Sequence, residues 1–382
     1  MTVNGTASMS IYNDLGLEPA INSSGKMTAL GGSVLGREVT DAMAAAGREH
    51  VVIADLMVQA GRWIAGVVGT EDACVSSGAS SGVAISVASV IAGTDKSLIQ
   101  GLPGRVGRPF EIVIQKGHAV DFGAPITQMI ALGGGQAVEV GSVNRVEPSD
   151  IAGAIGPDTA AVMFVQSHHT VHKGMVSLAE TIRVAHEKGV PVILDAAAED
   201  DLQKWATSGA DIVVFSGGKA IGGPTSGIVC GSHELMTAAR AQYSGIARPM
   251  KVGKEQVMGL IAALTVFTSS TDEADAGAGS AQRARMQALA SHLAQHPGID
   301  AVVEQDDAGR EIYRTVFTVR EESGTTAPRI AAALASSHPP MYLRDNKAAA
   351  GQLALDPRPL SADEETLLLA RLDEILLEAA TA

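Results

Sequence analysis

The sequence predicts an α/β protein, with a mostly parallel sheet in a large domain and a smaller α+β domain. Two observations indicate this fold class. In the middle of the chain, short apolar segments such as "AAVMFVQ", "VPVILD" and "DIVVFS" alternate with helical patterns, which is typical of buried parallel strands covered by helices. After Val257 long helical patterns predominate, and two strand patterns, "IDAVVEQ" and "IYRTVFTVR", lie between them.

The predicted elements follow one another in a regular order. A helical pattern runs from Val39 to Val68 and ends at a glycine, which commonly terminates helices. Next come the strand "DACVSS", a helix rich in alanine and valine, the strands "EIVIQ", "QAVEV" and "AAVMFVQ", the helix "LAETIRVAHEKG", and the strands "VPVILD", "DIVVFS" and "GIVCG". The last predicted helix begins at Ser361, and Glu364 three residues later completes a capping-box pattern.

Three segments are expected along the chain. Residues 1–36 form a glycine- and serine-rich lead that we expect to pack with the small domain. Residues 37–269 are assigned to the large domain and residues 270–382 to the small one. Because a domain typically has about 150 residues, the chain is long enough for two or three separate cores.

The composition narrows the class of partner. Of the 382 residues, 46% are hydrophobic, and the formal net charge is -14, which argues against binding to nucleic acid or to an anionic membrane. A small-molecule partner is therefore expected. Two cysteines, Cys74 and Cys230, are too few for a disulfide framework. Neither a secretion signal nor an apolar run of membrane-spanning length is recognisable, so we expect a cytoplasmic protein.

Three features lie where strands are predicted to end, which is where open parallel sheets bind ligands. The segment "SSGAS", residues 76–80, precedes a helix, and its small residues would leave backbone N–H groups accessible to an anion such as a phosphate. A plain serine N-cap explains it equally well. Asp195 closes the strand "VPVILD"; a buried carboxylate needs a partner, although capping of a following helix is an alternative.

The third feature is Lys219, which stands among six glycines in "DIVVFSGGKAIGGPTSGIVCG". A lysine directly after a buried strand loses hydration, which is costly unless the side chain has a use. Together with Asp195 it provides what pyridoxal phosphate requires from a protein: an acid group for the pyridine nitrogen, a lysine that bonds to the aldehyde, and backbone amides for the phosphate. On this interpretation the glycines let the backbone approach the cofactor.

The order of these motifs resembles the fold-type I pyridoxal phosphate enzymes over nearly the whole chain. The segments "INSSGKMTALGGSVLG", "EDACVSSGASSGVAISVAS", "FSGGKAIGGPTSGIVCG" and "ARPMKVGKEQVMGLIAAL" look like the selenocysteine-synthase-like branch. Within that branch the sequence is most similar to the D-glucosaminate-6-phosphate ammonia-lyases. The selenium transferases of the branch bind a transfer RNA through additional basic sequence, which this acidic chain lacks.

The resemblance implies roles for individual residues. Lys219 would bond to the cofactor and move protons, and Asp195 would pair with the pyridine nitrogen. The phosphate would be held by Ser77, Gly78 and Ala79, with a hydroxyl from Ser216.

Histidines near the same sheet edge are further candidates. His118 lies where such enzymes place a ring over the cofactor, although a core or surface histidine is equally compatible with the sequence. Ser167 and His168 follow a buried strand and would reach the cofactor or the substrate. The run containing His168, His169 and His172 lacks a carboxylate or cysteine at ligand spacing, so we expect no metal site there.

Substrate binding is expected to depend on basic residues. A carboxylate is best held by the planar guanidinium of an arginine, and Arg344 stands where the resemblance places that arginine. Lys26 and Arg37 are weaker candidates, because exposed basic residues are common. The resemblance also implies a homodimer or a higher homo-oligomer with shared sites.

The resulting functional hypothesis is a lyase. It would remove the α-proton and the β-hydroxyl of a 2-amino-3-hydroxy acid, with or without a phosphate group, and release a 2-oxo acid and ammonia. A racemase or a retro-aldolase with the same cofactor is an alternative, as is a non-catalytic oligomer that keeps the fold. The intact pair of Asp195 and Lys219 argues against the non-catalytic alternative.

Overall fold

A computed structural model describes residues 10–167, 169–269, 275–306 and 311–381. The chain divides into two compact units. The larger unit is Leu35–Thr271, and the smaller unit combines Met1–Val34 with Asp272–Ala382. The three segments expected from the sequence, 1–36, 37–269 and 270–382, stay a prediction about the domains.

The described elements are twelve strands and thirteen α-helices. The strands are β1 (Ile21–Ser23), β2 (Asp72–Ser76), β3 (Glu111–Gln115), β4 (Gln136–Val140), β5 (Thr159–Val165), β6 (Val192–Asp195), β7 (Ile212–Ser216), β8 (Gly227–Gly231), β9 (Ile299–Gln305), β10 (Tyr313–Val319), β11 (Met341–Leu343) and β12 (Gln352–Leu355). The helices are α1 (Arg37–Gly47), α2 (Ile53–Val68), α3 (Ala79–Ala92), α4 (Lys96–Gly101), α5 (Ile126–Leu132), α6 (Pro148–Ala154), α7 (Leu178–Glu187), α8 (Leu202–Ala206), α9 (His233–Ala241), α10 (Lys254–Ser269), α11 (Asp275–Leu293), α12 (Ala327–Ala335) and α13 (Ala362–Thr381).

The larger unit is built on a seven-stranded sheet in the order β2-β8-β7-β6-β5-β3-β4. Its strands are parallel except for β8, which is antiparallel to both of its neighbours. Every residue of β2, β5 and β6 is buried, because helices cover both faces of a parallel sheet. The predicted α/β class with a mostly parallel sheet is confirmed.

The helical pattern predicted from Val39 to Val68 is two helices rather than one. Helix α1 ends at Gly47 and α2 begins at Ile53, after Val52 in extended conformation. The three consecutive β-branched residues, Val51, Val52 and Ile53, are poor helix formers because their side chains lose rotamer freedom. The predicted end is correct: Gly69 has φ +83° and its N–H donates to Ala65 O at 2.8 Å.

The smaller unit has its own core and its own sheets. Strands β12, β10 and β9 form an antiparallel sheet, and β1 pairs in parallel with β11. Helix α13 begins as the capping box predicts, since Glu364 N–H donates to Ser361 Oγ and Ser361 N–H donates to Glu364 Oε2. None of the described helices is both long and apolar enough to span a membrane.

Candidate active site

The carboxyl ends of β2, β6 and β7 lie at one edge of the large sheet. Asp195 is paired with Val214 on β7, two residues before that strand ends at Ser216. Ser76 and Ser216 lie on opposite sides of Gly227, each in register with it. The sheet therefore brings together the ends of the strands that precede the three predicted motifs.

Asp195 is a buried carboxylate that has few partners among the described residues. Its side chain accepts one backbone hydrogen bond, from Ala197 N–H at 3.0 Å. Burial raises the pKa of this carboxyl, although the Ala197 N–H and the charge of Lys219 oppose the shift. The N-cap of the next helix, α8, is Asp201, whose carboxylate accepts from Lys204 N–H. Asp195 is therefore not the helix cap that the alternative interpretation required.

Lys219 lies in the turn that follows β7, and its side chain is half-buried. It interacts electrostatically with Asp195 on the neighbouring strand. Two of the glycines around it have local structural reasons: a β-carbon on Gly217 would lie 2.1 Å from Ser226 Oγ, and Gly222 has φ +71°. Close packing therefore favours glycine at position 217, and the backbone conformation favours it at position 222.

The predicted phosphate loop lies at the N-terminus of α3. The N-cap residue is Gly78, which offers no side chain to the first turn of the helix. Ser77 Oγ donates to Ser81 Oγ at 3.1 Å, and Ser81 Oγ donates to Gly78 O at 2.7 Å. The loop is held tightly, because a β-carbon on Gly227 would lie 2.5 Å from the carbonyl carbon of Gly78. First-turn N–H groups without a side-chain cap are suited to binding an anion.

His118 is almost completely buried, with 1% of its surface exposed. Its Nδ1 accepts a hydrogen bond from Val165 N–H at 3.2 Å, so the proton of the neutral ring is on Nε2. The ring packs edge-on against Phe164, with centroids 4.4 Å apart. Burial, aided by the charge of His172, lowers the pKa of His118 to about 4. The imidazole is therefore neutral at physiological pH, as stacking on a cofactor would require; the stacking itself stays a prediction.

In the described residues of the segment after β5, hydrogen bonds within the segment form a turn. His172 Nε2 lies 2.9 Å from Ser167 O and 3.1 Å from Thr170 Oγ1. His169 N–H donates to Ser167 Oγ at 3.2 Å. Ser167 is thus oriented by its own turn, whereas His168 lies outside the described residues.

In the smaller unit, Arg344 belongs to a cluster of charges that the sequence did not reveal. Asp356, completely buried, accepts hydrogen bonds from Arg314 Nε at 2.8 Å and from both Nε and Nη2 of Arg358 at 2.8 and 2.7 Å. Arg314 also binds the buried Asp306 at 3.1 Å. Asp356 directly follows the apolar strand "GQLAL", as Asp195 follows "VPVIL". The same sequence pattern that identified Asp195 could therefore have identified Asp356.

Arg344 differs from its neighbours in this cluster. Within the described part of the chain its guanidinium has no ion-pair partner within 4 Å, and its pKa is lowered by burial and by the charge of Arg314. The pKa of Lys26 is likewise lowered, by burial and then by Arg358. Among the described residues, four basic groups therefore lie near the carboxylates of Asp306 and Asp356. Guanidinium groups are well suited to an anionic ligand.

Two other basic residues, Arg37 and Lys254, form ion pairs with carboxylates close to them in the sequence. Arg37, with a side chain 90% exposed, forms a surface ion pair with Asp41 at 3.5 Å. Lys254 donates to Ala46 O and to Glu255 Oε1, each at 2.6 Å. The basic segment "ARPMKVGKEQV" suggests that Arg248, Lys251 and Lys254 pair with an anion of another subunit. For Lys254 these contacts within its own chain weaken that interpretation.

Comparison with known proteins shows the family to which this chain belongs. The family model described as SelA, L-seryl-tRNA selenium transferase, matches residues 20–276. The chain belongs to the SelA family. It is 47% identical to a 5'-C-glycyluridine monooxygenase-decarboxylase from Streptomyces sp over 370 residues, which cover 96% of this chain and 92% of that protein.

A second relative is the D-glucosaminate-6-phosphate ammonia lyase of Salmonella typhimurium (strain 14028s / SGSC 2262). It is 41% identical over 371 residues, which cover 97% of this chain and 99% of the relative. A solved structure of a D-glucosaminate-6-phosphate ammonia-lyase superposes with a TM-score of 0.88 at 40% identity and covers 98% of this chain and 100% of that one. The predicted resemblance is confirmed.

The SelA-family fold of this chain is fold type I, and its cofactor is pyridoxal 5'-phosphate. The residues at the sheet edge fit this cofactor. The buried carboxyl of Asp195 can accept a further hydrogen bond from a protonated ring nitrogen. Lys219 lies in the turn after the adjacent strand, and α3 offers N–H groups without a side-chain cap. These are the three functions that the cofactor requires.

Proposed function

We propose that this protein is a pyridoxal phosphate-dependent ammonia-lyase for a 2-amino-3-hydroxy acid that carries a second anionic group. The observation that carries the proposal is the placement of Asp195 beside Lys219 at the edge of the sheet, in a chain that aligns over 97% of its length with a D-glucosaminate-6-phosphate ammonia lyase. A phosphorylated sugar amino acid is the substrate class that this likeness favours.

Each residue has a separate task in the proposed reaction. When bound, the cofactor withdraws electrons from the α-carbon of the substrate. Asp195 keeps the ring nitrogen protonated, the N-terminus of α3 holds the phosphate, and Lys219 Nζ accepts the α-proton. The β-carbon–oxygen bond breaks and the hydroxyl leaves as water once protonated. The resulting enamine hydrolyses to a 2-oxo acid and ammonia.

The basic cluster of the smaller unit is the proposed anion site for the substrate. We assign the α-carboxylate to Arg344, whose guanidinium lacks an ion-pair partner among the described residues. Asp356 fixes the side chains of Arg314 and Arg358 beside it. An arriving anion would offset the repulsion among these cations, which is the reason to expect tight and specific binding.

Replacement of Arg344 by lysine should weaken substrate binding. Lysine keeps the positive charge but loses the planar pair of donors, so kcat/KM should fall by the equivalent of roughly 1.5–3 kcal/mol. Steady-state kinetics would measure the loss, which we expect mainly as a higher KM. Arg320→Lys is the matched control, because Arg320 forms an exposed pair with Asp300 in the same unit. Equal kinetics for Arg344→Lys and wild type would remove Arg344 from the site.

The reaction class has a direct test. The holoenzyme is incubated with 2-amino-3-hydroxy acids, with and without a terminal phosphate, while 2-oxo acid and ammonia are followed. In deuterated water we expect deuterated 2-oxo acid and ammonia in equal amounts. A racemase would instead return α-deuterated amino acid of both hands and no ammonia, and a retro-aldolase would release an aldehyde. Either pattern across the whole panel would refute the lyase.

A second candidate reaction follows from the relative of 47% identity, which is named as a monooxygenase-decarboxylase. Such an activity would consume dioxygen and release carbon dioxide, neither of which the lyase reaction does. An oxygen electrode and trapping of carbon dioxide, applied to the same substrate panel and to a glycyl nucleoside, would separate the two activities. Turnover without oxygen would favour the lyase.

The assembly and the location belong to the same proposal. We infer a cytoplasmic homodimer or a multiple of it, with active sites shared between subunits, because the selenocysteine-synthase-like resemblance implies that arrangement. Arg248 and Lys251 are the basic residues we assign to a neighbouring subunit's cofactor phosphate. Light scattering combined with activity over a dilution series is the test, and full activity in a monomer would refute the shared site.

A further inference from the structure

Two histidines and an aspartate meet in the smaller unit, apart from its basic cluster. His292 lies in the last turn of α11, His296 lies three residues after the end of that helix, and Asp373 lies on α13. His292 Nε2 is 2.9 Å from Asp373 Oδ1, and His296 Nε2 is 2.8 Å from the same oxygen. All three potential ligand atoms lie within 4.8 Å of one another.

The backbones of these residues are fixed by the core. Leu293, between the two histidines, is completely buried, and Leu372 beside Asp373 is completely buried as well. His296 N–H donates to Leu293 O at 3.1 Å, which holds the turn after α11. The ligand atoms are therefore brought together by packed elements, and only side-chain rotations are free to adjust.

The geometry is close to that of a metal site. Ligand bonds of about 2.0–2.2 Å in a tetrahedral arrangement separate the ligand atoms by roughly 3.3–3.5 Å. The present nitrogen–oxygen distances are about 0.5 Å shorter than that, because hydrogen bonds join the same atoms. A shift of each ring proton from Nε2 to Nδ1 would exchange two N–H donors for two nitrogen lone pairs directed at one ion.

The ligand types and their exposure indicate the kind of ion. Two imidazoles and one carboxylate suit Zn²⁺ and neighbouring transition metals, whereas Mg²⁺ and Ca²⁺ require oxygen ligands. The side chain of His292 is 41% exposed and that of Asp373 30%, while His296 is only 13% exposed. One side of the cluster is therefore open to solvent, which provides an entry path and a water molecule as the fourth ligand.

We propose that His292, His296 and Asp373 bind one divalent transition-metal ion of the Zn²⁺ class, and that the ion joins the end of α11 to α13. The ion would stabilise the smaller unit, because it binds only where the fold holds the three ligands together. None of the three residues is assigned to the cofactor or to the substrate, so the site is independent of the proposed lyase activity.

The test measures binding to the chelator-treated and dialysed holoprotein. Titration calorimetry with Zn²⁺ alone, and visible absorption with Co²⁺ alone, should each give one ion per chain. Saturating Zn²⁺ should raise the melting temperature. Asp373→Asn and His296→Gln, which keep side-chain size and hydrogen-bonding capacity, should each weaken binding by about 10²-fold or more, as expected when one of three protein ligands is lost.

The control variant is His186→Gln. His186 forms a single histidine–carboxylate pair with Asp211, also at 2.9 Å, without a second histidine, so this change should leave the stoichiometry and affinity unaltered. Far-UV circular dichroism and the visible absorption of the bound cofactor confirm that each variant is folded. No binding to the wild-type chain, or binding that survives in folded Asp373→Asn and His296→Gln, would overturn the proposal.

Discussion

Lys219→Ala should abolish turnover and remove the visible absorption of the bound cofactor. The side chain has two proposed tasks, the covalent bond to the cofactor and acceptance of the α-proton, and alanine performs neither. Loss of a positioned general base alone lowers turnover by about 10²- to 10⁴-fold. In the wild-type protein we expect the absorption maximum at about 410 to 430 nm.

Borohydride provides the direct chemical evidence for this lysine. Reduction of the wild-type holoenzyme should fix the cofactor on a peptide that contains Lys219, and mass spectrometry identifies the labelled residue. Lys188→Ala is the matched control, because Lys188 is an exposed lysine of the same unit, and it should keep both absorption and activity. A label found on another lysine would contradict the assignment.

Local sequence patterns were sufficient to predict the sheet edge. Each strand that carries a site residue is a continuous apolar run, and the polar residue that ends it is visible in the sequence: Ser76 after "DACV", Asp195 after "VPVIL" and Ser216 after "DIVVF". Parallel strands then place their carboxyl ends together. That is why Asp195 and Lys219 could be paired although twenty-four residues separate them.

Contacts between distant segments were not predictable in the same way. Asp356 organises Arg314 and Arg358, and Asp373 lies beside two histidines about eighty residues earlier. Such pairs depend on how helices and strands pack against one another. The periodicity of the sequence does not reveal which distant segments come into contact. The loop glycines illustrate a related difficulty: packing requires Gly217 and a positive φ favours Gly222, and the sequence distinguishes neither reason from approach to a cofactor.

Asp195→Asn should separate catalysis from folding. Asparagine can still accept the hydrogen bond from Ala197 N–H, but it cannot stabilise a positive charge on the ring nitrogen of the cofactor. Turnover should fall by about 10²- to 10³-fold, the usual loss when one preorganised electrostatic contact is removed. Steady-state kinetics on the best substrate of the panel measures the effect, while circular dichroism reports on the fold.

Asp195→Asn should increase the stability of the cofactor-free protein, although it lowers turnover in the holoenzyme. Because burial raises the pKa of Asp195, the folded state holds the proton more tightly than the unfolded state does. The wild-type protein therefore loses stability as the pH rises through the raised pKa, and Asp195→Asn does not share that loss. Melting temperatures measured from acidic to neutral pH should show an advantage of the variant that grows with pH. A variant that melts lower at neutral pH and retains wild-type turnover would show that Asp195 serves the fold instead of the cofactor.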